Sequence, residues 1–118
     1  MGHLSTHVLD TMHGCPAAGM KVSLQRLQDD GAVTIQQLTL NADGRNSDGA
    51  LLNAETMRPG RYRLLFEVAP YFRSRGVMLP DPAFLDTVPL DFGIADAAGH
   101  YHVPLLVTPW CYSTYRGS

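Results

Sequence analysis

What most limits the folds open to this chain is an alternation of apolar and polar residues with a period of two. Val88, Leu90, Phe92 and Ile94 show it most cleanly. Met20, Val22 and Leu24 alternate with Lys21, Ser23 and Gln25, and Tyr62, Leu64, Phe66 and Val68 with Arg61, Arg63 and Glu67. Tyr101, Val103, Leu105 and Val107 make a further run, ahead of an aromatic closing segment from Trp110 to Tyr115. Successive side chains of a strand point to opposite faces, so each run describes a strand with one buried face. Leu4 to Leu9 is also β-like, and Ala32 to Leu40 is β-branched and Gln-rich behind the hairpin signal Asp29-Asp30-Gly31.

Turn residues separate the runs: Asn41-Ala42-Asp43-Gly44, Arg58-Pro59-Gly60, Leu79-Pro80-Asp81-Pro82 and Ala97-Ala98-Gly99. Strands of this number and spacing, with no long helical period between them, predict an all-β antiparallel sandwich. One short helix is expected over Tyr71 to Arg75, with Pro70 at its first position and Gly76 as its cap. Pro104 is the exception, because inside its run it cannot donate a ladder hydrogen bond. Either that strand has an edge or bulge there, or it is interrupted.

With 118 residues the chain fits a single domain spanning residues 1–118. It is 45% hydrophobic and 17% charged, enough for a packed interior and unlike a disordered chain. The net charge of −2 gives no reason to expect nucleic acid or an anionic membrane as a partner. No segment reaches the roughly 18 apolar residues of a membrane span. The apolar pattern starts at Leu4 with no leader-like segment before it, so a cytoplasmic protein is expected unless a leader has been removed. Cys15 and Cys111 are few for a disulfide scaffold and read best as free thiols in a reducing compartment.

Five histidines invite functional readings. His3 and His7 have a helical metal-pair spacing, but on a strand four residues part the rings by about 13 Å, so His3 reads as a tail residue. His100 and His102 share a strand face at roughly 6.6 Å, yet no third ligand stands nearby in sequence. His13 and His100 sit at turns and read as surface residues. If Tyr101, Val103 and Leu105 point into the core, His102 points out of it beside Pro104 and Leu106. An imidazole on an otherwise apolar outer face suits an interface or a site better than open solvent. Arg45 closes a turn, and by spacing alone neither it nor the terminal Ser118 is marked.

Longer motifs go further. Leu4-Ser5-Thr6-His7-Val8-Leu9-Asp10-Thr11 with Gly14-Cys15-Pro16-Ala17 resembles the amino-terminal motif of the transthyretin-like 5-hydroxyisourate hydrolase family. Asn41-Ala42-Asp43-Gly44-Arg45 resembles the family's central motif, Tyr101-His102-Val103-Pro104-Leu105-Leu106 its third, and Tyr112-Ser113-Thr114-Tyr115-Arg116-Gly117-Ser118 its closing one. The resemblance runs from Leu4 to Ser118, and the closing Tyr115-Arg116-Gly117-Ser118 is its most specific part. It implies a prealbumin-like sandwich of two four-stranded sheets with one short helix, assembled as a homotetramer with sites in a channel between dimers. The implied reaction is hydrolysis of 5-hydroxyisourate to 2-oxo-4-hydroxy-4-carboxy-5-ureidoimidazoline in urate degradation, with no metal or cofactor. By the same resemblance His7, Arg45, His102 and Ser118 are catalytic, while Arg45, Tyr115, Arg116 and Gly117 serve binding or hold the tail. A non-enzymatic small-ligand carrier on this scaffold is the main alternative, since a fold does not fix a function. A metal-dependent hydrolase built on His100 and His102 is the other.

Overall fold

The computed structural model describes residues 1–117, so the expectation attached to Ser118 lies outside the described residues. Eight strands and one helix follow in order: β1 His3–Asp10, β2 Cys15–Pro16, β3 Lys21–Gln28, β4 Gly31–Thr39, β5 Gly60–Glu67, α1 Val68–Ser74, β6 Thr87–Ile94, β7 His100–Val107 and β8 Tyr112–Thr114. They form two four-stranded sheets, ordered β2-β1-β7-β8 and β4-β3-β5-β6. The alternating runs became strands because each has one face to bury. Leu4, Val8, Val103 and Leu105 of the first sheet and Val22, Leu24, Leu64, Phe66 and Val88 of the second are all buried between the layers. A fully buried side chain of this kind contributes about 1.5–3 kcal/mol, so the inner faces hold the sandwich together. The outer faces are free to carry chemistry.

The sheets differ from the expected all-antiparallel arrangement in one pairing. β1 runs parallel to β7, in a register that sets Ser5 opposite His102 and His7 opposite Pro104. The other strand pairs are antiparallel. The hairpin between β3 and β4 forms where expected, with Gln28 paired to Gly31 across Asp29 and Asp30.

The helix begins three residues earlier than the sequence pattern suggests. Val68 continues the alternation of β5, but its N–H and that of Ala69 both donate to the Asp86 carbonyl, which turns the chain out of the sheet. Val68, Ala69, Tyr71 and Phe72 then form the buried side of α1. Gly76, at φ 82°, takes the left-handed conformation just after the helix end.

Pro104 is accommodated by a gap rather than a broken strand. β8 pairs with β7 as far as Thr114 opposite Leu105, and the same register resumes as a single bridge between His102 and Gly117. The gap faces Pro104, whose missing N–H would have served the ladder there. Its carbonyl accepts instead from the Thr114 hydroxyl at 2.7 Å. β7 therefore continues unbroken, and the tail leaves its ladder for two residues.

Candidate active site

The parallel pairing of β1 and β7 gathers four histidines on one surface. Because Leu4, Thr6 and Val8 face inward, His3, Ser5 and His7 face outward, and in register with them stand His100, His102 and Pro104. His7 and His102 are diagonal neighbours on this face, their backbones about 8 Å apart by strand geometry. Both are half-buried.

Arg45 reaches the same face from the turn at 41–45. The Asn41 carboxamide oxygen accepts from the backbone N–H groups of Asp43 and Arg45, and the Asn41 N–H donates to the Arg45 carbonyl at 2.8 Å. Gly44 lets this turn sit flat against β1. Its φ is 73°, and a Cβ there would lie 2.5 Å from the Val8 carbonyl oxygen. The Val8 N–H in turn donates to the Gly44 carbonyl at 3.0 Å. A close backbone approach of this kind needs glycine, and it delivers the next residue, Arg45, beside His7.

The electrostatics follow from that placement. Burial and the charge of Arg45 lower the pKa of His7 below 6.5, with the backbone and carboxylate of Asp43 pulling the other way. Burial lowers His102 as well, helped by Arg45, His7 and His3. Two imidazoles that resist protonation, next to a guanidinium that is always charged, can accept protons near neutral pH and bind oxygen anions.

The tail runs along one side of this surface. The Gly117 N–H donates to the His102 carbonyl at 2.7 Å, and a Cβ on Gly117 would come within 2.7 Å of the His102 ring. Arg116 is placed differently. It donates to the His100 carbonyl at 3.0 Å and lies 4.1 Å over the Tyr101 ring. With Tyr115 it lines an apolar cleft of about 230 Å3 between β6 and the tail, which Leu90, Phe92 and Val103 also line. The structure thus brings His7, Arg45, His102 and Gly117 together and sets Tyr115 and Arg116 to one side as anchors of the tail.

Three sequence readings change. His3 is no loose tail residue but the first residue of β1, its ring 4.3 Å from that of His100. His13, read as a surface residue, hydrogen-bonds the buried Asp10 through Nδ1 at 2.6 Å. Ser5 was passed over, yet its hydroxyl lies 2.8 Å from Nδ1 of His102. The available signal was that Ser5 lies two residues before His7 and so shares its face. Among the described residues no three His, Cys, Asp or Glu side chains cluster to hold a metal ion.

A family model described as HIUase/Transthyretin family matches residues 4–117. The chain belongs to that family. Its relatives include a 5-hydroxyisourate hydrolase of Pseudomonas aeruginosa, 54% identical over all of this chain and 93% of that protein. Among solved structures, an (S)-allantoin synthase superposes with a TM-score of 0.92 at 45% identity over 99% of this chain, which spans 44% of that longer protein. Sea bream transthyretin in complex with thyroxine superposes with a TM-score of 0.82 at 25% identity, covering 97% of this chain and 93% of that one. The two-sheet, one-helix sandwich expected from the family motifs is the one found.

Proposed function

We propose that this chain hydrolyses 5-hydroxyisourate by opening its six-membered ring at a cyclic amide. What carries the reading is the convergence of His7, His102 and Arg45 on one outward sheet face, both imidazoles being held below their ordinary pKa. The identity to a relative named for this activity supports it. In the reaction a water oxygen bonds to the ring carbonyl carbon, the carbon–nitrogen bond breaks, and a carboxylate and a ureido group result. The two histidines share the proton work, with an imidazole taking a proton from the attacking water. Arg45 offsets the negative charge that develops on the carbonyl oxygen. Ser118, by its hydroxyl or terminal carboxylate, completes the site in this reading, with Gly117, Arg116 and Tyr115 fixing the tail. No metal or other cofactor is assigned to the reaction.

The site face of a single chain is open, which fits a homotetramer of paired dimers in which a second copy closes the channel and excludes water. A cytoplasmic place in urate breakdown goes with this reading, and among the described residues no helix is long and apolar enough to cross a membrane. A carrier role is the competing reading, favoured by the likeness to a thyroxine-bound transthyretin. A carrier has no need of two imidazoles kept neutral beside an arginine.

The test is spectrophotometric, on 5-hydroxyisourate generated in place from urate. The protein should speed its decay over buffer, and His102→Ala should lower turnover by about 10²-fold or more with the assembly intact. Decay at the spontaneous rate would end the hydrolase reading and favour the carrier.

A further inference from the structure

In the parallel register Ser5 stands directly opposite His102, and its Oγ lies 2.8 Å from Nδ1 of that ring. Among the described residues this is the only hydrogen bond of the Ser5 hydroxyl. The direction of that bond decides what the ring can do. A neutral imidazole has one N–H donor and one lone-pair acceptor, and whichever nitrogen is engaged fixes the role of the other. If Nδ1–H donated to Ser5, the half-buried hydroxyl would have no protein acceptor for its own proton among the described residues. If the Ser5 O–H donates, its proton is used and Nδ1 keeps its lone pair. The ring proton then sits on Nε2.

The rest of the setting holds the ring in place. Gly117 packs so closely that a side chain there would strike the imidazole, and its N–H ties the strand from behind. Burial first, and then the charges of Arg45, His7 and His3, discourage a second proton on His102.

We infer that Ser5 is a positioning residue that donates to Nδ1 of His102 and holds it as the neutral Nε2–H tautomer. This rests on the placement of His7 and His102 in the site, and it divides the labour between them. A neutral imidazole N–H is a hydrogen-bond donor and a poor base at the same nitrogen. His102 therefore steadies the carbonyl oxygen together with Arg45, and His7 takes the proton from water. As the carbon–nitrogen bond breaks, protonated His7 returns that proton to the departing ring nitrogen. The water's other proton leaves to solvent as the new carboxyl group ionises, and both histidines finish neutral.

The experiment combines nitrogen-15 NMR of the histidine side chains, at a pH where both rings are neutral, with steady-state kinetics of the wild type, Ser5→Ala and Ser5→Thr. The expected result is a His102 Nε2–H tautomer in the wild type, lost or mixed in Ser5→Ala. Ser5→Ala should lower kcat by about 10-fold or more with KM little changed, as expected for misaligning a donor to the developing oxyanion. Ser5→Thr, which keeps the hydroxyl, should restore both the tautomer and most of the rate. An Nδ1–H tautomer in the wild type, or full activity in Ser5→Ala, overturns the role of Ser5. A wild type with the Nε2–H tautomer and no hydrolysis would instead overturn the functional reading, and with it the division of labour.

Discussion

Two polar sites three residues apart on β1 have been treated in opposite ways. At Asp10 the carboxylate is fully buried and accepts from the His13 N–H at 2.9 Å, the His13 ring at 2.6 Å and the Tyr71 hydroxyl at 2.8 Å. Burial pushes this carboxyl up, but the hydrogen bonds from His13 and Tyr71 outweigh it and leave its pKa below 3.8. The same contact and the same burial push the Tyr71 hydroxyl up. At His7 the ring is half-buried, beside a cation that opposes its charged form. The first site is saturated and ties β1 to α1. Among the described residues, the second keeps a nitrogen free. A polar group surrounded by partners stabilises, and one left short of partners is available to react.

The largest expected effect separates the two by function. His7→Ala should reduce turnover on 5-hydroxyisourate by about 10² to 10⁴-fold, the usual worth of a positioned acid–base group, with Tm essentially unchanged. A large loss of Tm would mean that His7 is structural after all. The converse change is Asp10→Ala, which leaves the Tyr71 hydroxyl and the His13 N–H without their buried acceptor. It should cost about 3 kcal/mol in urea unfolding, and Tyr71→Phe about 1–3 kcal/mol. Unfolding curves that match the wild type would show that the Asp10 network is ornamental.

Smaller effects come from pH. Asp10 is held below its ordinary 3.8, so its contribution is complete above that value and is lost as pH falls through the lower folded value. Acid unfolding of Tyr71→Phe should therefore begin at a higher pH than that of the wild type. His7 and His102 are also lowered, so activity should hold as pH drops to 6.5 and fall only below it. Arg45→Gln removes one cause of that lowering. Its residual activity should show an acid limb displaced toward 6.5, and an unmoved limb would argue that Arg45 does not face the imidazoles.

The strands were legible because alternation is a direct record of which side chains need burying. The outward aim of His102 followed from the inward aim of Tyr101 and Val103. The start of α1 was not legible, since Val68 keeps the strand period while the Asp86 carbonyl, far along the chain, takes its N–H. His13 and His3 were misread for a similar reason. Their partners, Asp10 and His100, become visible only once the turn at 11–14 and the β1–β7 register are known. Ser5 carried half a signal, its face, and lacked the other half, the residue across from it. Arg45 came from its motif, and only the structure shows Gly44 pressing that turn onto Val8.

The parallel union of β1 with β7 also governs when the molecule can become itself. β1 is made long before β7 and has to wait for it, so its hydrogen-bonding edge toward β7 stays unsatisfied while the chain between them is being added. Contacts between such distant parts of a sequence make folding slow and leave strand edges exposed to unwanted pairing on the way. An amino-terminal fragment ending before β7 lacks His102 and cannot bring it beside His7, however well its other strands pair. His7 and His102 therefore share a face only late and all at once, when β1 and β7 meet.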